Sequence, residues 1–187
     1  MILYLHGFNS SPQSHKAQVL ARYLEEEGMA ELYACPALPP RASEALRTIE
    51  SLVPAGGVGF VGSSLGGFYA TYLAEKHDAR AVLINPAIDP HVGLRAYLGP
   101  QKNLYTGEPY ELTEAHLAEW EKLYVPRINP GRYLLLVETG DEVLDYRRAV
   151  ERYRGAEQVV VTGGDHSLQS FPDHLPRIVE FLRASAL

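Results

Sequence analysis

Residues 56–70 read GGVGFVGSSLGGFYA and hold two overlapping glycine patterns with unrelated chemistries. Gly57, Gly59 and Gly62 spell G-x-G-x-x-G, the outline of a dinucleotide-binding turn, whereas from Gly62 the stretch spells G-x-S-x-G, the outline of a hydrolase nucleophile elbow. A dinucleotide turn needs a strand ahead of its first glycine and a helix opening at its third. Here IESLVPA, the end of an amphipathic helix broken by Pro54, precedes Gly57, and the strand-like Val58, Phe60 and Val61 lie among the glycines. Glu75 and Asp78 stand near the spacing of a ribose-binding acid, but on a helix rather than at a strand tip. The elbow pattern has its context: strand, sharp turn at Gly62 to Gly66, then helix. An elbow strains its nucleophile and has no room for side chains two residues before and after it. Gly62 and Gly66 flank Ser64 in this way, while the bulky Val61 and Leu65 would flank Ser63, so Ser64 is the candidate nucleophile.

A serine hydroxyl needs a base to take its proton, commonly a histidine held in one tautomer by a carboxylate. Behind an elbow the chain order is Ser, then Asp or Glu, then His. Of seven histidines, His166 in TGGDHSL follows the last strand-like run and precedes the last helical one, where a loop at the carboxyl edge of a sheet would carry a base. His6 breaks the order, His91 and His116 fall between the fourth and fifth strand-like runs, and His15, His77 and His174 fall on or beside helices. ETGDEVLDY supplies the acid. Asp141 lies just past a strand, Asp145 is placed to cap the next helix, Glu138 is still on the strand, Glu142 is adjacent, and Asp165 neighbours His166. The loop-after-strand position favours Asp141.

An acyl-transfer site must also hold an oxyanion, with one N–H from the residue after the nucleophile and one from a loop after an early strand. Those donors would be Leu65 and, in LHGFNSS, Phe8, with Gly7 letting the backbone come close and His6 holding the loop by hydrogen bonds. On these residues the expected reaction is nucleophilic attack on an acyl carbonyl through an acyl-enzyme. Acyl transfer or perhydrolysis on the same groups, and a non-catalytic ligand-binding protein of the same fold, are the alternatives.

The motifs YLHGFNSSP, LPP, VGSSLGG, NPA, YTGEPY, TGDEVLDYR and GGDHS, spread from residue 4 to residue 167, resemble those of α/β-hydrolases and, more closely, of the small bacterial YqiA-type esterases. The resemblance implies that nucleophile, acid and base fall on Ser64, Asp141 and His166. It also implies hydrolysis of carboxylic esters or acyl thioesters, acyl-CoA included, with no metal or organic cofactor. GGDHS departs from it locally, placing Asp165 where similar proteins can carry an amide and making it a second influence on His166.

To position these residues the chain must alternate strands and helices, and it does. Strand-like runs at Ile2 to Leu5, Leu32 to Cys35, Val58 to Val61, Ala81 to Ile84, Tyr133 to Glu138 and Gln158 to Val161 alternate with helical periodicity. Leu46, Ile49, Leu52 and Val53 share one helical face, as do Leu65, Phe68, Tyr69, Tyr72 and Leu73. Tyr146, Ala149, Val150 and Tyr153 form another, and Leu175, Ile178, Val179 and Leu182 a fourth. This predicts a single α/β domain over residues 1–187 with a mostly parallel six-stranded sheet and helices on both faces. The rhythm breaks at about 86–131, a stretch rich in Pro, Gly and Tyr that is too long for a bare loop and is expected to form a small cap with short helices, for example around Thr113 to Tyr124. Its aromatic side chains, Trp120 and Tyr124 in particular, are candidates for an acyl pocket.

Composition narrows the partners. The chain is 46% hydrophobic and 21% charged, as an ordinary globular protein is, and no apolar run approaches a membrane span. A net charge of −6, with 17 basic residues scattered among 23 acidic ones, disfavours nucleic acid and leaves a small-molecule ester or thioester as the expected partner. A lone cysteine, Cys35, excludes an intrachain disulfide and a cysteine metal cluster, and the N-terminus lacks signal-peptide features; both suit the cytoplasm.

Overall fold

A computed structural model of the chain describes residues 1–183, and all statements here concern those residues. In chain order the elements are β1 (Ile2–Leu5), α1 (His15–Glu26), β2 (Tyr33–Ala34), α2 (Ala42–Glu50), β3 (Gly59–Ser63), α3 (Leu65–His77), β4 (Arg80–Ile84), α4 (Pro90–Gly93), β5 (Gly99–Lys102), β6 (Pro109–Leu112), α5 (Glu114–Lys122), β7 (Tyr133–Glu138), α6 (Tyr146–Arg152), β8 (Glu157–Val161) and α7 (Leu175–Arg183). Six strands form one sheet in the order β2-β1-β3-β4-β7-β8, and every pairing is parallel. The predicted α/β-hydrolase sheet is therefore present. No helix is long and apolar enough to cross a membrane.

Alternation along the central strands divides the core. Leu3, Leu5, Phe60, Ala81, Leu83, Leu135 and Val137 point to one face and pack against α2, α3 and α6. Ile2, Tyr4, Val61, Val82, Ile84, Leu134 and Leu136 point to the other and pack against α1 and α7. Helix α3 is buried on nearly every side because it lies between the sheet and the segment that follows β4.

The strand order reverses between β1 and β3, so the chain leaves these neighbours in opposite directions. A crevice opens at their carboxyl ends, the usual ligand position in an open parallel sheet. Ser64 follows β3 there and the loop from His6 follows β1.

Several boundaries differ from the sequence expectation. The second strand keeps only Tyr33 and Ala34, because Leu32 belongs to a turn and is 47% exposed at the sheet edge. The third begins at Gly59, whose N–H meets the Met1 carbonyl, and runs through Ser63. Helix α2 stops at Glu50, ahead of Pro54, leaving Leu52 exposed. Helix α1 carries the period of Ala17, Leu20 and Leu24. Between β4 and β7 the short helices are joined by an antiparallel β5–β6 hairpin that periodicity did not predict.

Candidate active site

Ser64 occupies the turn between β3 and α3 with φ 54° and ψ −119°, a conformation that a side chain disfavours and that the surroundings must enforce. They do so through the backbone. The Ser64 N–H donates to the Ile84 carbonyl at 3.0 Å, and its own carbonyl accepts from Gly67 at 2.9 Å and Ala87 at 3.0 Å. The glycines have separate reasons. A Cβ on Gly62 would overlap the Gly66 carbonyl, and one on Gly66 would overlap the Leu5 carbonyl. A Cβ on Gly67 would stand 2.6 Å from the Pro86 Cβ, a demand the sequence pattern did not reveal. Ser63 points into the protein, 6% exposed, whereas Ser64 is partly accessible.

His166 Nε2 lies 3.1 Å from Ser64 Oγ, and His166 Nδ1 lies 2.8 Å from Asp141 Oδ2. A carboxylate facing Nδ1 assigns the proton to that nitrogen and leaves Nε2 free to accept from the serine hydroxyl. Burial raises the pKa of the Asp141 carboxyl, but hydrogen bonds from His166 Nδ1 and from the Leu144 and Val143 N–H groups outweigh it and hold the pKa below the ordinary carboxylate value. Asp141 is thus an oriented anion. The other acids are engaged elsewhere: Asp145 caps α6 through the Arg147 N–H, and Glu142 accepts from the His166 N–H. Asp165 accepts from the Ser167 N–H and the Gln169 amide, so its carboxylate is committed to its own turn rather than to the His166 ring.

The Phe8 and Leu65 N–H groups donate to no protein acceptor among the described residues, in contrast to the neighbouring Ser10, Ser64 and Gly67 N–H groups. Gly7 lets the first loop close on the elbow, its Cβ position being 3.3 Å from Ser64 Cβ. His6 holds this loop as expected. Its Nε2 accepts from the Leu38 N–H at 3.0 Å while Nδ1 faces the Gly7 carbonyl at 3.0 Å, and burial lowers its pKa, which keeps the ring neutral.

Two residues outside the predicted set hold the His166 loop. Glu138, at the end of β7 and 1% exposed, accepts from the Asp165, Gln169 and Ser170 N–H groups and from the Ser170 hydroxyl, all between 2.7 and 3.0 Å. Burial pushes its carboxyl up, and these hydrogen bonds pull it below the ordinary value. Asn85, with φ 38° after β4, donates its amide to the Asp165 and His166 carbonyls and accepts from the Glu138 N–H. The NPA motif signalled Asn85, but its partners are distant in sequence.

A cleft of about 590 Å³ opens beside the Phe8 and Leu65 donors, walled by Leu38, Tyr69, Tyr110 and Trp120. The β5–β6 hairpin forms one side and is fastened to the first loop: Leu104 N–H donates to the Asn9 carbonyl, Asn103 to the Ser10 carbonyl, and Tyr110 to Asn9 Oδ1. Trp120 reaches this wall. Tyr124 does not; it packs edge-on to His91 and under Arg152, against a separate small pocket. No group of residues suited to hold a metal ion occurs among the described residues.

Comparisons agree with this architecture. The UPF0227 protein YcfP of Salmonella arizonae is 24% identical over 191 residues, covering 97% of this chain and 98% of its own. Mouse alpha/beta hydrolase domain-containing protein 10 superposes with a TM-score of 0.73 at 17% identity, over 100% of this chain and 90% of its own. Est1E from Butyrivibrio proteoclasticus does so with 0.68 at 15% identity, over 98% and 86%. At such identities the structural likeness establishes the fold. A family model described as Uncharacterised protein family (UPF0227), of the YcfP and YqiA type that the motifs resemble, matches residues 1–183, and the chain belongs to this family.

Proposed function

We propose that this protein is a serine hydrolase of carboxylic esters or acyl thioesters, built as one α/β-hydrolase domain with the 86–131 segment as its cap. The observation that carries the reading is the continuous line from Asp141 through His166 to Ser64, with contacts of 2.8 and 3.1 Å, ending on a serine in an enforced elbow. His166 Nε2 takes the serine proton as Oγ attacks the carbonyl carbon, and Asp141 stabilises the resulting imidazolium. The Phe8 and Leu65 N–H groups receive the developing oxyanion. His166 then returns the proton to the leaving group, and water, activated by the same imidazole, releases the acyl-enzyme. The descriptions of fold neighbours such as the esterase domain from a Rhodothermus marinus protein and the metagenome-derived lipolytic enzymes LipS and LipT support the class of reaction.

The test is turnover of p-nitrophenyl esters of graded chain length and of the matching CoA thioesters, with Ser64→Ala alongside. Hydrolysis that disappears in the variant supports the reading, and the chain-length profile identifies the preferred acyl group. A folded wild-type protein inactive on every member would refute it.

A further inference from the structure

Tyr69 and Trp120 share the buried wall of the cleft, each 1% exposed. Trp120 Nε1 donates to the Tyr69 hydroxyl at 2.7 Å, so the phenol oxygen already serves as an acceptor. Its proton finds no acceptor among the described residues: the Trp120 contact is the one hydrogen bond in which this hydroxyl takes part. Burial raises the Tyr69 pKa well above that of an ordinary phenol, despite the opposing effect of the Trp120 bond, and this keeps the O–H in place. Two amide side chains of the lining are already engaged. Asn9 accepts from Tyr110 and donates to Gln101, while Asn103 donates to the Ser10 carbonyl and accepts from the Tyr105 and Thr106 N–H groups. A buried donor therefore stands in the wall of a cleft lined by Leu38, Leu65 and Trp120 and also by polar residues that include Glu44 and Glu108, and a buried polar group left unpaired is costly.

The position of this donor fits an acyl group. Tyr69 follows Leu65 by four residues on α3, on the same helix face and about 6 Å along its axis. A substrate whose carbonyl oxygen meets the Leu65 N–H would run its acyl body over Leu65 and Leu38 and bring a more distal atom to the Tyr69 hydroxyl.

We propose that the cleft selects acyl groups with an apolar body and a hydrogen-bond acceptor, such as a carbonyl, ether or hydroxyl oxygen, at the distance of the Tyr69 hydroxyl, which donates to it while held by Trp120. The proposal rests on the hydrolase reading for the direction in which the substrate lies. Tyr69 is a specificity-determining residue in it, not a participant in the proton transfers. A plain alkyl chain would fill the same space but leave the Tyr69 O–H unpaired, the situation in which a site built to hydrogen-bond discriminates against an isostere.

The chain contains one tryptophan, Trp120, so binding at the hydroxyl it contacts is observable in its fluorescence. The experiment titrates Ser64→Ala with pairs of methyl esters of equal length, one a straight alkanoate and the other carrying a ketone or ether oxygen in place of a distal methylene, with the oxygen moved along the chain. One position should bind about three- to ten-fold more tightly than its alkyl partner and shift the Trp120 emission. The preference should vanish when Tyr69→Phe is added. In the Ser64 background the same preference should appear in kcat/KM, and Tyr69→Phe should remove it. Equal binding of both partners at every position, or a preference that survives Tyr69→Phe, would overturn the proposal. Because the wild-type pair comparison needs no substitution at Tyr69, instability of Tyr69→Phe would not rescue it. Selective binding without turnover of either ester would refute the hydrolase reading alone and leave the Tyr69 assignment standing.

Discussion

Glu138→Gln replaces a buried carboxylate by an amide of nearly the same shape. In the folded protein Oε1 accepts from the Ser170 N–H and hydroxyl, and Oε2 accepts from the Asp165 and Gln169 N–H groups. The amide fits best with its NH2 on the Ser170 side, where the hydroxyl can turn round and accept, but the Ser170 N–H then loses its partner. One buried unsatisfied N–H costs about 1–3 kcal/mol, and the two bonds that survive lose their charge assistance, for a total of about 2–4 kcal/mol. The loss belongs to residues 165–170, the loop that holds His166 against Ser64, so turnover should fall more than the folded fraction does. Urea unfolding gives the stability change as a shift in midpoint at constant slope. Hydrogen exchange should show faster exchange at the Asp165, Gln169 and Ser170 amides, while Asp165→Asn serves as a control of similar location. Acid offers a second signature. Glu138 has a depressed pKa in the folded chain, so its contribution is present above the unfolded value of about 4 and is lost as pH falls through the folded one. The variant should therefore lose stability at neutral pH and show a flatter decline in acid. Wild-type stability, exchange and turnover in Glu138→Gln would refute the reasoning.

Asp141→Asn should reduce kcat by on the order of 10³- to 10⁴-fold, since the amide no longer fixes the His166 tautomer, while Asp145→Asn and Asp165→Asn remain active; near-normal turnover in purified Asp141→Asn would move the acid elsewhere. Ser64→Ala should cost on the order of 10³-fold or more, whereas Ser63→Ala, altering a buried strand residue, should stay folded and substantially active. Gly66→Ala should fail to form the elbow, because its methyl would overlap the Leu5 carbonyl; an active Gly66→Ala enzyme would show that the turn can relax.

What the sequence revealed follows the range of each interaction. The elbow was legible because its demands are local: Ser64 needs glycine at Gly62 and Gly66, and neighbouring residues say so. Asp141 and His166 were legible from chain order and from loops that follow strands. The work of Glu138 was not, because a carboxylate at the end of β7 is joined to Asp165 and Ser170 only when β7 and β8 pair. The hairpin escaped notice because GPQK and PYEL carry prolines and little alternation, and contacts with Asn9 and Ser10 help to fix it in place. Aromatic density pointed to the 86–131 segment as a wall for the cleft, yet it could not separate Trp120, which faces the cleft, from Tyr124, which lies four residues later against Arg152.

Labelling the intact protein with a serine-reactive fluorophosphonate and mapping the adduct by peptide mass spectrometry would show whether Ser64 is a nucleophile activated by His166. One adduct per chain is expected, located on Ser64, with labelling slowed strongly in Asp141→Asn and absent in Ser64→Ala. An adduct on Ser63 or another residue, or a folded wild-type protein that takes up no label, would contradict it.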